Sequence, residues 1–187
     1  MTNTSVAEKI KEELVGVMGS QVENLDPEMI QLSLDLGEKL TKGEIRLADA
    51  FNIPKDKLNA MYAIAYDLYS NDKYEKAVGL FNMLCLYDPL NVDYWQGAGA
   101  AYKMLKQYDL AAAVYGTLIQ LRSTQMSYYL DLAECFLQLK QVENAKNCLQ
   151  GALLIGEADN LKNRGSNCEA HVQRAKALLD LLEKKSK

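Results

Sequence analysis

The sequence predicts an all-α solenoid of three tandem helix-turn-helix repeats, and three observations carry that prediction. Residues 58–157 read as one 34-residue unit written three times, with Leu58, Val92 and Met126 at the first position of each copy. Position eight is then Ala65, Gly99 and Ala133, position twenty is Ala77, Ala111 and Ala145, and position twenty-four is Phe81, Tyr115 and Leu149. Positions four, seven, eight and eleven of each copy fall on one face of a helix, and in the second copy they are Trp95, Ala98, Gly99 and Tyr102.

A period of 34 with small residues at positions eight and twenty is the signature of the tetratricopeptide repeat. The small residue at position eight lets the two helices of a repeat approach, and the one at position twenty faces it from the second helix. A bulky side chain in place of Gly99 should force the hairpin apart. One repeat cannot bury its apolar stripe alone, so the copies (58–91, 92–125 and 126–157) should stack into a right-handed superhelix whose concave face is lined mainly by first helices.

Composition agrees with this architecture and narrows the function. At 187 residues the chain can bury roughly two-thirds of its unfolded surface. A net charge of -4 and a pI near 5.1 argue against a direct nucleic-acid surface. Val6 to Met18 is broken by Glu8, Lys9, Lys11, Glu12 and Glu13, which predicts neither a secretory signal nor membrane insertion and places the protein in the cytosol. Cys85, Cys135, Cys148 and Cys168 are widely spaced and His171 is the single histidine, so the expectation is reduced structural thiols, with no metal site and no cofactor.

Taken in order, residues 1–25 form an N-terminal extension. Ser5 to Glu8 has capping-box form, and Val6, Ile10, Leu14 and Val17 recur at helical spacing; a short amphipathic helix and a flexible segment are the two readings. Residues 26–57 form an N-terminal helical segment. Asp26 as N-cap and Pro27 at the first helical position open a helix to about Thr41. Its apolar residues, Met29, Ile30, Leu32 and Leu36 among them, cover more than one face, which suits docking on the first repeat or a homodimer seam. Residues 45–52 read as another helical turn, and Pro54 opens the first helix of repeat one. Asp72 to Glu75 has capping-box form for its second helix. Residues 158–187 are a polar link and a helix opened by Ser166 to Glu169, carrying Ala170, Ala175, Leu178, Leu179, Leu181 and Leu182, which should cap the open face of repeat three.

Positions two, five, nine and twelve lie outside the packing set and should line the groove. In repeat one the last three are Tyr62, Tyr66 and Tyr69, with covering of the N-terminal helix as the alternative role for some of them. Repeat two presents Asp93, Gln96, Ala100 and Lys103, and repeat three presents Ser127, Leu130, Glu134 and Leu137. Such a groove, aromatic at one end and mixed at the other, suits an extended peptide with a few apolar anchors. Gly97 to Ala101 does not form a phosphate loop, because Tyr102 takes the place of the motif's last glycine and no strand precedes it. With one histidine, no catalytic constellation can be assembled, and the protein is read as a non-enzyme.

Beyond the bare repeats, the chain resembles a specific family. Asn52-Ile53-Pro54, Tyr62 to Tyr69, Lys73 to Ala77, Leu84 to Asp88, Tyr94 to Ala100 and Gln107 to Ala111 look like the class II chaperones of bacterial type III secretion systems, a likeness covering about residues 29–156. The resemblance implies a cytosolic bacterial protein of a virulence system. It would hold the hydrophobic translocator proteins before export, usually as a homodimer built through N-terminal helices, and some members also assist an AraC-type transcription activator. The family's groove tyrosines map onto Tyr62, Tyr66 and Tyr69. The long segment before Asp26 and the long C-terminal helix depart from the family pattern. The rival is a general repeat adaptor or transcription co-regulator. The carboxylate clamp of heat-shock co-chaperones needs Lys and Asn where Tyr62 and Tyr66 stand, so that form of adaptor is absent.

Overall fold

The computed structural model describes residues 35, 39, 42, 44–160 and 167–184, and among these the regular structure is entirely helical. Two compact units are present, Met1–Pro54 and Lys55–Lys187. The Ser5, Asp26 and Ser166 caps and the apolar set Met29, Ile30, Leu32 and Leu36 lie outside the described residues. In the first unit, α1 (Leu47–Ala50) is one helical turn. The Asp49 carboxylate closes it by accepting from the Arg46 backbone N–H at 3.2 Å and from the guanidinium at 2.6 and 2.9 Å. Asn52, at φ 51°, then reverses the chain.

The second unit is a run of helices in which each packs on the next: α2 (Lys55–Ser70), α3 (Tyr74–Tyr87), α4 (Val92–Met104), α5 (Tyr108–Leu121), α6 (Met126–Gln138), α7 (Val142–Asn160) and α8 (Asn167–Lys184). Contacts of α2 with α4 and of α6 with α8 add to these. This nearest-neighbour order is that of a solenoid.

The turn inside each repeat is the same device used three times. Asp72, Lys106 and Lys140, 34 residues apart, have φ of 58°, 59° and 60°. Each donates its N–H to the carbonyl three residues back, and the next residue donates to the carbonyl five back: Lys73 to Leu68 at 2.9 Å, Gln107 to Tyr102 at 3.0 Å and Gln141 to Phe136 at 2.8 Å. This Schellman arrangement satisfies carbonyls that a helix end leaves open, and it needs a left-handed residue, usually glycine. Here aspartate and two lysines take that place. The expected capping box at Asp72 is therefore corrected: Asp72 terminates α2, Lys73 is the N-cap of α3 with no side-chain cap, and the Asp72 carboxylate accepts from the Tyr74 hydroxyl. Asn91 does cap α4, its side chain accepting from Asp93 N–H at 3.1 Å.

The small positions form the seam of the core. Ala65, Ala77, Ala98, Ala111, Ala133 and Ala145 have no exposed surface, with Phe81, Tyr115 and Leu149 buried beside them. A Cβ on Gly99 would lie 3.1 to 3.3 Å from Val114 and Tyr115, the close approach expected of position eight. The tighter site is Gly97, where a Cβ would fall 2.3 Å from the buried Phe81 ring. Position seven departs in the first copy. Ile64 is 54% exposed where Ala98 and Leu132 are buried, because α2 has no earlier helix of its own unit beside it.

Helix α8 closes the run. Its Val172, Ala175, Leu178, Leu179 and Leu182 pack on a cluster of Met126, Leu130, Ala133, Leu149 and Ala152, while Ala170 and Leu181 stay exposed. Each buried aliphatic side chain contributes roughly 1.5–3 kcal/mol. Gly156 admits the helix, since a Cβ there would meet Val172 at 2.5 Å.

Candidate functional site

The face built by α2, α4 and α6 carries a pocket of about 380 Å³ lined by Tyr69, Gln96, Ala100, Lys103, Met104, Tyr115, Tyr128 and Asp131. Consecutive first helices supply most of it because every 34 residues the chain returns to the same face. Lys103 is its electrostatic centre. Its Nζ donates to Asp131 Oδ1 at 2.7 Å and to Glu134 Oε2 at 2.9 Å, and sits 5.7 Å from the centroid of the Tyr115 ring. The other oxygen of Glu134 accepts from the Arg174 guanidinium of α8. Two cations and two carboxylates thus close a balanced chain across α4, α6 and α8.

The Tyr115 and Tyr128 phenols stay protonated. Burial, reinforced by Asp131, pushes the Tyr115 hydroxyl well above the usual phenol range, and burial raises Tyr128 as well, with Asp93 and Asp131 adding to it against Arg122. The pocket therefore offers apolar ring faces and neutral hydroxyls beside a paired ammonium. Among the described residues no group of three or more His, Cys, Asp and Glu side chains could hold a metal.

The residues expected in the groove are placed as follows. Tyr69, Gln96, Ala100 and Lys103 surround the pocket. Tyr62 is half-buried, its ring 6.0 Å from Phe81 and 5.6 Å from Tyr94, and burial raises its hydroxyl. Tyr66 is 58% exposed, and Asp93 is exposed at the start of α4. Glu134 and Leu137 are half-buried on α6. Leu130 is corrected: at 2% exposure it belongs to the cluster under α8, because the C-terminal helix covers position five of the last repeat. Spacing missed Met104, Tyr115, Tyr128 and Asp131 at the pocket, and Arg174 beyond it. Asp131 did leave a signal: position six is Ala63 and Gly97 in the other copies, and a carboxylate among small residues marks a charge with a partner.

The fold defines a helical-repeat protein with a pocket on the face of its first helices. No protein-family profile matches the chain. The low calcium response locus protein H of Yersinia pestis is 30% identical over 131 residues, 69% of this chain and 75% of that protein. The chaperone protein SicA of Salmonella dublin is 29% identical over 104 residues, 56% of this chain, and the match spans 63% of SicA's length. The type III secretion chaperone SycD of Yersinia enterocolitica, solved with a peptide of the translocator YopD, superposes with a TM-score of 0.64 at 25% identity over 72% of this chain and 98% of that one. The chain belongs to the translocator chaperones of type III secretion systems.

Proposed function

We propose that this protein binds the hydrophobic translocators of a type III secretion system before export and holds an extended client segment along the face of α2, α4 and α6. The observation that carries the reading is the pocket around Tyr69 and Lys103, which can accept one apolar anchor while its phenols and the Lys103 ammonium remain near the client main chain. That SycD was solved with a translocator peptide supports the assignment of ligand class. The mechanism is holding without turnover. Segments destined to enter a membrane would otherwise aggregate. An anchor contributes roughly 1.5–3 kcal/mol, and a few anchors less the cost of ordering the chain give about micromolar affinity, weak enough for release. Cytosolic location, a homodimer and a partnership with an AraC-type activator belong to the same proposal on family membership. Among the described residues no helix is long and apolar enough to cross a membrane.

The test is to purify the tagged protein from its own bacterium and identify what accompanies it. A secreted protein with long apolar helices should co-purify, and Tyr69→Ala with Lys103→Met should lower affinity for it tenfold or more, about 1.4 kcal/mol, at unchanged helicity. Equal binding by the double variant removes the pocket from the mechanism. Recovery of soluble cytosolic proteins alone would make the chain a general adaptor.

A further inference from the structure

We infer that Arg174, on the C-terminal helix, is a positioning and specificity residue of the client pocket, acting through Glu134; the inference rests on the client-binding reading above. Arg174 does not line the pocket, and Glu134 does not either. Both are nevertheless tied to its wall. Glu134 gives one carboxylate oxygen to Arg174 and the other to Lys103, which also bonds the pocket residue Asp131. The side chains of Lys103, Asp131 and Glu134 are 25%, 32% and 28% exposed, so these three charges are only partly screened by water, while Arg174, 53% exposed, joins them from the solvent side.

The consequence follows from charge balance. With Arg174 in place, Glu134 has only one oxygen left for Lys103, and the ammonium stays shared between Glu134 and Asp131 over the Tyr115 ring. The pocket wall is then neutral overall and indifferent to the sign of charge flanking a client anchor. Without Arg174 the four-membered chain keeps one cation against two carboxylates, Glu134 competes for the ammonium with both oxygens, and the wall becomes acidic. The C-terminal helix thereby does two jobs: its apolar face covers Leu130 and Ala133, and its one guanidinium at this turn sets the electrostatic character of a pocket on the neighbouring helices.

The test uses the full chain and a synthetic extended peptide with two leucine anchors, made in Lys-flanked and Glu-flanked forms, with Kd read by fluorescence anisotropy at low and high salt. The wild type should hold the two forms about equally. Arg174→Met, which keeps most of the stem, should favour the Lys-flanked form by roughly five- to tenfold, a preference that shrinks at high salt. Arg174→Lys should restore the balance, and Glu134→Gln should abolish the effect of Arg174→Met. Thermal unfolding and helicity of Arg174→Met should match the wild type, so that a loss of packing cannot mimic the result. An Arg174→Met protein that holds both peptides as the wild type does, or loses both equally, overturns the inference and leaves the pocket reading standing. A wild type that holds neither peptide overturns the pocket reading and this inference with it.

Discussion

Position five of the repeat is Gln96 in the second copy and Leu130 in the third, and the two have opposite fates. Gln96 is exposed at the pocket, whereas Leu130 is 2% exposed beneath α8. The backbone register is the same, and so is the face of the first helix. What differs is the neighbour: the repeat that holds α4 is followed by another repeat, and the repeat that holds α6 by α8, whose Ala175 and Leu179 join the cluster around Leu130. A repeat position thus specifies direction, and the element beyond it decides between ligand surface and core.

The largest expected effect breaks this comparison directly. Leu130→Ala should cost about 2–5 kcal/mol in urea unfolding, as a buried leucine emptied to a cavity does, while Gln96→Ala should stay within about 0.5 kcal/mol. Comparable losses from both would mean that α8 does not cover position five. Next comes the contrast between neighbouring glycines. Gly97→Ala places a methyl 2.3 Å from the Phe81 ring and should destabilise by about 1–3 kcal/mol, less whatever the better helix former returns. Gly99→Ala meets contacts of 3.1 Å and longer and should cost less. If Gly99→Ala proves the more damaging of the two, the tight approach has been assigned to the wrong residue.

A smaller change should go the other way. Lys106→Gly and Lys140→Gly remove side chains from left-handed backbone at exposed turns, and each should raise stability by about 1 kcal/mol, seen as a higher unfolding midpoint. No gain at either site would show that the lysines carry no strain there.

The last expected effect, absent at neutral pH, is on alkaline stability. Burial pushes the Cys85 thiol from 9.0 to about 12 and Cys135 to about 11. A thiol whose folded value is raised contributes stability that is fully present below the unfolded value and is lost as pH rises from there toward the folded value. Stability should therefore be level up to about pH 9 and decline toward pH 11, and Cys85→Ala, though less stable at neutral pH, should show a shallower alkaline decline. Cys85 and Cys135, both buried and unpaired, should also resist alkylation in the native protein while reacting in urea. Rapid native labelling would contradict their burial.

Much of the fold was legible because repeats write the same instruction several times. Ala65, Ala77, Ala111, Ala133 and Ala145 were readable as a seam from their spacing, and all five are fully buried. The site was legible in part. Tyr69, Gln96, Ala100 and Lys103 are positions on one helical face, which periodicity can see. Tyr115 was readable only as a core ring at position twenty-four, since nothing in its spacing says that one edge of a buried ring borders a pocket. Arg174 was invisible for a different reason: 71 residues separate it from Lys103, and no local pattern links the two.

By itself, then, the sequence determined the period, the helix pairs and the small-residue seam, because these depend on spacing along one helix or its return after 34 residues. Only the tertiary structure decided that Asp72, Lys106 and Lys140 hold left-handed turns, that Leu130 is core and that Lys103 is shared by Asp131 and Glu134. Those outcomes depend on which helix comes to lie beside a side chain, and burial and charge pairing are settled by neighbours in space.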